Sequence, residues 1–455
     1  MPMRSKLTSR GGAAGLAFTA CGSGSGHADG ARPSHATAFS RLSVGARTAV
    51  AATLMFAALL ATGGRAAGAS AAGRHATARV ASRAAAGRSC RPTVTRLPDL
   101  GHGGGAVAFS GGTIVGEVSD ARGNQHPAIW RRGRLHVIRT RVIRNGGAND
   151  INARGQIVGF ADNFTKSWEL YRGRITILRD VPGSHADYAR RINNRGQIAG
   201  AADNMNRAAR WDSATAAPVL LLPQADDKFS FSKGINDRGQ VAGDTDEADG
   251  TPHAAVWGPA GHIRVLSGAY GPGSPGDLFE INDAGTSAGE SFLVSAAGAI
   301  LANQATIWAR RGAPAGLGFL PGLNQSTALG LSGTGFVSGE SSQFDYAHGI
   351  QGATHAFVWP GHGPLLALPV PHMSYARSGS GAHQISGNGT VVGAAGPVHD
   401  VSKWHAYVWT CVFQQAFLPH PPAAQQSGAA ARNHSPWRFR SPRRLARLLL
   451  RRATA

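Results

Sequence analysis

The chain has 455 residues and a formal net charge of +21, with 46 Lys and Arg against 25 Asp and Glu. Eleven of the basic residues fall in residues 1–89 and eight beyond residue 411, where Asp29 is the one acid, so the middle of the chain is nearly neutral. The excess charge sits on Ala-, Gly-, Pro- and Arg-rich ends that cannot bury a core, and the middle shows no basic stripe interleaved with aromatics, which excludes nucleic acid as the expected partner.

Residues 1–43 read as a disordered or mis-assigned extension. An apolar stretch from Ala49 to Ala61 then follows the positive charge of Arg47 and precedes small residues, the pattern of a secretory signal peptide over 44–69 with Ala67-Gly68-Ala69 as cleavage site. The stretch is shorter than the roughly 20 apolar residues that span a bilayer. A signal peptide starts near the start of translation, which makes Val44 a candidate start. Lipid attachment at Cys21 is disfavoured because no adequate apolar run precedes it. Residues 70–89 read as a flexible linker and 412–455 as a basic disordered tail, in which Pro442 and short length weaken an amphipathic helix. The protein is therefore expected outside the cell or on its surface, with no stable membrane span after signal cleavage.

Between these ends the chain repeats. One motif is an apolar residue, Asn, two variable residues, Gly, three residues and a second Gly: Ile151-Asn152 with Gly155 and Gly159, Ile192-Asn193 with Gly196 and Gly200, Ile235-Asn236 with Gly239 and Gly243, Ile281-Asn282 with Gly285 and Gly289. Ser replaces Asn at Ser332 and Ser386, and an earlier copy at Phe109-Ser110 is one residue shorter. The second motif is a short strand ending in Trp and often opened by His: His126 to Trp130, His253 to Trp257, His355 to Trp359 and His405 to Trp409. Trp211 and Trp308 fill the slot without His, and Tyr171 is assigned to it in the second copy.

Asn-x-x-Gly between apolar runs is a hairpin turn, with Gly taking the left-handed conformation. Each unit of about 40 to 54 residues then holds four short strands, the unit of a β-propeller, and seven alternating copies predict an all-β, seven-bladed ring over 90–411. Alternation along His355-Ala356-Phe357-Val358-Trp359 makes both faces of the third strand apolar, as blade-on-blade packing requires.

The segment Thr93 to Leu100 has the pattern of a fourth strand with no blade before it, while the last blade ends at its third strand, just before Cys411. The N-terminal strand is therefore expected to complete the C-terminal blade. A Cys90–Cys411 disulfide would stand where other blades have a turn, and export favours it over two free thiols. Closing a loop of about 320 residues contributes roughly 5 to 6 kcal/mol in the chain-entropy account.

His-Ala-aromatic-x-Trp combined with Ile-Asn-x-x-Gly-Gln-x-x-Gly resembles the HAF-type repeat of bacterial extracellular proteins, here His355-Ala356-Phe357 with variants His253-Ala254-Ala255, His405-Ala406-Tyr407 and His126-Pro127-Ala128. The resemblance covers residues 93–410 and implies a secreted or surface propeller without assigned catalytic residues.

No nucleophile elbow, zinc-protease helix, phosphate loop or CxxC pair is present, so no catalytic, cofactor-binding or metal residue is assigned and no cofactor is expected. The His residues, one per blade on the third strand, read as packing or hydrogen-bonding groups. The acidic run Asp244 to Gly250 reads as a solvated loop in preference to a calcium loop, whose spacing it lacks. The expected function is a monomeric, non-catalytic binding or scaffold propeller presenting loops, Ser291 to Gln304 and Ser341 to Thr354 foremost, to a glycan or surface protein. A secreted propeller hydrolase or lyase acting on polysaccharide is the alternative, and ionisable groups converging on one channel mouth would favour it.

Overall fold

The computed structural model describes residues 91–413 except 226, 249, 296–297, 346–349 and 399. The N-terminal extension, signal peptide, linker, Cys90 and the tail after Phe413 lie outside the described residues.

Strands are the dominant regular structure of the described chain, covering about half of it. It opens with β1 (Thr93–Arg96), followed by β2–β5 (Gly104–Ser110, Thr113–Ser119, Gln125–Arg131, Arg134–Val137), β6–β9 (Gly147–Ile151, Ile157–Ala161, Lys166–Tyr171, Arg174–Ile177) and β10–β13 (Tyr188–Ile192, Ile198–Ala202, Arg207–Trp211, Val219–Leu221). Then come β14–β17 (Phe229–Ile235, Val241–Asp246, Pro252–Trp257, Ile263–Leu266) and β18–β21 (Gly276–Ile281, Ser287–Val294, Ile300–Trp308, Ala315–Gly316). The last are β22–β25 (Gln325–Leu331, Val337–Asp345, Ile350–Trp359, Leu366–Ala367) and β26–β28 (Ser378–Ile385, Val391–Pro397, His405–Thr410).

Each group is an antiparallel meander, and a single parallel bridge between Asn303 and Gln325 links the β18 and β22 groups. The group β26–β28 takes its fourth strand from the other end of the chain: β1 pairs antiparallel with β28, Thr93 opposite Thr410 and Arg96 opposite Tyr407. The strand is shorter than the eight residues expected, but Leu97 N still donates to Ala406 O. The two threonine hydroxyls meet at 2.7 Å.

Consecutive meanders stack face to face. The second strand of each lies on the first strand of the next, from β3 on β6 through β23 on β26, and β27 lies on β2. Apolar cores therefore sit between sheets, as where Ala108, Val115 and Ile129 meet Ile151, Ile157 and Trp168. The expected alternation on the third strand holds, since Phe357 packs with Ala288 and Ala305 on one side while Ala356 and Val358 pack with Ala382 and Trp409 on the other. Val412 is fully buried and Phe413 packs on Phe336, so the folded unit runs past Cys411.

Most of the recurring tryptophans pin one sheet to the chain before it. Trp130 Nε1 donates to Pro98 O, Trp211 to Arg179 O, Trp257 to Leu222 O, Trp308 to Ser267 O and Trp409 to Pro369 O, all at 2.7–2.8 Å. The second copy corrects the sequence assignment. Leu170, not Tyr171, stands opposite Ile157 in the register that Trp130 holds opposite Ile114, because no aromatic falls at that register and Tyr171 lies one residue on.

Four-stranded antiparallel meanders, each packed on the next by its inner strands, define a β-propeller. Two 3-10 turns are the only helical elements among the described residues, and none of the helices there is long and apolar enough to cross a membrane.

Candidate functional site

The first strand of each sheet has two unlike ends. At its C-terminal end the recurring Asn does more than open a turn. Asn236 Oδ1 accepts from Arg238 N and Gln240 N, closing the turn, while its Nδ2 donates to Asn282 O of the next sheet at 3.0 Å. Asn152, Asn193 and Asn282 donate likewise to Asn193 O, Asn236 O and Ser332 O. The result is a neutral ladder joining consecutive sheets. The first Gly of the motif supplies the turn conformation, with φ near +77° at Gly239.

The second Gly has another purpose. Every first strand carries a β-bulge, at Val107, Asn149, Arg190, Lys233, Phe279, Leu329 and His383. The second Gly of each motif lies opposite the residue before that bulge. A Cβ at Gly243 would stand 1.8 Å from Phe231 O, and Gly116, Gly159, Gly200, Gly289, Gly339 and Gly393 are crowded in the same way. The missing side chain lets the bulge form, and a bulge re-aims the side chain it carries.

What the bulges and their neighbours present is strongly charged. The residue after the second Gly is acidic in four copies: Glu117, Asp244, Glu290 and Glu340. Lys233 Nζ lies 2.7 Å from Asp244 Oδ1 and also contacts Asp277 Oδ2, with all three side chains at most 10 % exposed. Lys233 Nζ and Arg190 Cζ lie 4.9 Å and 5.4 Å from the Phe279 ring centre. Arg191 Nε donates to Glu280 Oε2 at 2.9 Å. Arg191 is on β10 and Glu280 on β18, and the β14 sheet separates them in chain order, so these side chains meet where the inner strands converge. Gly234 makes room, since a Cβ there would be 2.9 Å from Glu280 Cα.

Burial dominates the electrostatics. It raises the Glu117 carboxyl to about 7 and that of Asp150 to about 6 against the opposing pull of Arg191. Burial and then repulsion from Glu290 raise Glu340 to about 8. Asp277 is raised well above the usual carboxylate range by burial and the charge of Asp244, and Asp246 is raised for the same two reasons. Burial pulls Lys233 down, but Asp244 and Asp277 outweigh it, so the ammonium is held charged. One carboxyl oxygen each of Asp277, Glu290 and Glu340 is buried and accepts no hydrogen bond. Burial holds all three carboxyls above the usual carboxylate range, which suits them to hold a polar ligand or to move protons.

This cluster corrects two expectations. Asp244 and Asp246 belong to β15 instead of a solvated loop, because the strand runs on to pair with Phe229 and Phe231, and Asp244 is 3 % exposed. Ser291–Val294 pairs with Ile300–Gln304 and Ser342–Asp345 with Ile350–Thr354, so the described parts of these two expected loops are extensions of the hairpins β19–β20 and β23–β24 past the starts of β18 and β22. They project from the charged end, opposite to the Asn turns, and carry the exposed Leu293 and Leu301.

The histidines lie apart from this cluster, on third strands, each with its own partner. His126 pairs with Asp120 at 3.0 Å, His253 with Glu247 at 2.8 Å and His405 with Asp99 at 2.6 Å. His355 is instead buried and stacked on Tyr375 at 3.6 Å, and burial lowers it to about 4. No group of three His, Cys, Asp or Glu among the described residues is arranged to hold a metal ion. Cys411 directly follows β28, buried and at φ +58°, whereas Cys90 lies outside the described residues.

The class defined here is a β-propeller with a charged cluster where its inner strands meet. No family model and no curated protein sequence matches the chain. Among solved structures it is similar to virginiamycin B lyase from Staphylococcus aureus, at 12 % identity and TM-score 0.47 over 71 % of this chain and 99 % of that one. It is also similar to the β-propeller domain of the Trilobed protease from Pyrococcus furiosus, at 13 % identity and TM-score 0.45 over 68 % and 95 %. A third similarity is to a puromycin hydrolase, at 14 % identity and TM-score 0.43 over 65 % and 50 %.

Proposed function

We propose that the protein is an exported seven-bladed propeller of HAF-type repeats, closed by β1, that binds a polar glycan or surface-protein ligand at the charged end of its inner strands. The observation that carries this reading is the convergence of bulge-borne Arg190, Lys233 and Phe279 with Asp277, Glu290 and Glu340 from several sheets. Buried charges without full compensation cost stability, so their concentration at one end of an otherwise regular repeat marks a site.

Closure through the Cys90–Cys411 bridge is part of the same reading. Cys411 directly follows Thr410, which pairs with Thr93, and Cys90 lies three residues before Thr93. Export through residues 44–69 supplies the oxidising compartment such a bridge needs. Non-reducing peptide mapping of the secreted protein is expected to recover the linked Cys90 and Cys411 peptides, and free thiols at both would refute the seam.

A second reading, acid–base cleavage of a polysaccharide, is favoured by the carboxyls of Glu117 and Glu340, which burial raises to about 7 and about 8 so that they hold protons near neutral pH. One experiment separates the two. A glycan and cell-wall binding screen of the full protein, read for both retention and chain cleavage, is expected to give retention without new reducing ends. Cleavage that Glu340→Gln abolishes would establish the second reading instead.

A further inference from the structure

We propose that Glu290 and Glu340 together hold a small organic ammonium ion, so that the ligand of the charged end carries a protonated amine. The inference rests on the reading of that end as a ligand site and names the chemistry of one sector of it.

Glu290 on β19 and Glu340 on β23 occupy the same place in neighbouring sheets, each following the second Gly of its motif. Glu290 reaches toward the next sheet, where Thr327 donates to its Oε2 at 2.9 Å, and Thr327 is the residue opposite Glu340. Asn303 donates to the same oxygen. The other oxygen, Glu290 Oε1, accepts nothing although the residue is fully buried, and neither does Glu340 Oε2. Among the described residues neither carboxyl has an ion-pair contact.

The equivalent acid one sheet earlier shows what that sector lacks. Asp244 is met by the ammonium of Lys233 from its own sheet. The bulge in the β22 sheet carries Leu329 where the β14 sheet carries Lys233, so no equivalent cation arises there. An ammonium from outside would serve Glu290 and Glu340 as Lys233 serves Asp244 and Asp277. It has three N–H donors, which two carboxylate oxygens and a hydroxyl such as that of Thr327 can accept, whereas calcium calls for about six to eight oxygens.

The charged groups facing Glu290 are Lys233, Asp244, Asp277 and Glu340, with neutral Asn303 and Thr327 completing its surroundings. Burial raises both carboxyls, so binding requires them to ionise against that cost, while an alkylammonium stays charged to about pH 10. Affinity for the amine therefore rises with pH through the range in which Glu340 titrates, near about 8.

The test is calorimetric titration of the full protein with cadaverine, using 1,5-pentanediol as the uncharged control. Saturable binding of the diamine but not the diol is expected, tightening from about pH 6 to about pH 8.5 and weakened at least about tenfold in Glu290→Gln and in Glu340→Gln. Glu290 is hydrogen-bonded in the core, so Glu340→Gln decides the matter if the other variant does not fold. No binding of cadaverine, equal binding of the diol, affinity unchanged by Glu340→Gln, or displacement by calcium that binds more tightly would each overturn the ammonium assignment. A glycan bound by the wild type and weakened by Glu340→Gln while cadaverine stays silent would keep the site and remove only the amine.

Discussion

The two ends of the inner strands obey different rules. At the turn end the same Asn recurs and makes the same bond to the next sheet, 2.9 Å from Asn152 and 3.1 Å from Asn282. At the other end the bulge residue is Val, Asn, Arg, Lys, Phe, Leu or His according to the sheet. Repetition is kept where one hydrogen-bond geometry serves four consecutive sheets and abandoned where each sheet contributes a different group to a shared centre. A repeat protein thus separates its scaffold from its site along a single strand.

The sharpest way to break that separation is to attack the glycine that connects the two ends. Gly243→Ala places a methyl group 1.8 Å from Phe231 O and should cost more than about 4 kcal/mol, read as loss of the folding transition or of secretion. A cost below about 1 kcal/mol would mean the bulge is not what the glycine permits.

Next comes the charged end alone. Lys233→Met leaves Asp277 and Asp244 buried without their ammonium and should cost about 3 kcal/mol near neutral pH in denaturant titration. The cost should shrink on acidification, as Asp277 takes up its proton. At the turn end, Asn236→Ala removes two turn hydrogen bonds and the link to Asn282 O, for about 1 to 2 kcal/mol. Ligand binding should not change in that variant, and a binding defect would merge the two ends again.

The smallest effect concerns pH. Glu117, Asp150 and Glu340 have carboxyls raised by folding, so they favour the native state at acid pH, and that contribution fades as pH rises through about 6 to 8. The melting temperature should fall between about pH 5 and about pH 8.5. Glu340→Gln mimics the protonated acid and should flatten part of the slope, stabilising the protein by about 1 kcal/mol at the alkaline end. A variant that melts lower at every pH would contradict the assignment.

Much of this was visible along the chain and some was not. The Asn-x-x-Gly turns and the Trp-ended strands are local, periodic signals, and they placed the strands and the pairing of β1 with β28. Tyr171 was misplaced because register depends on the partner strand, and Leu170 gives no aromatic signal. The second Gly was seen as a repeat without a reason, since the carbonyl it avoids belongs to another strand. Acids after that Gly are also plain in the sequence, but only the dense run Asp244 to Gly250 stands out, and from the sequence it reads as a loop.

By itself, then, the sequence determined a repeat, its hairpins and the pairing of its two ends, because turn chemistry and apolar alternation act over a few residues. Tertiary structure alone decided that Arg191 would reach Glu280 and that Glu290 would lean on Thr327. Those meetings depend on the convergence of inner strands from separate sheets, and convergence is a property of the packed sheets that no single repeat contains.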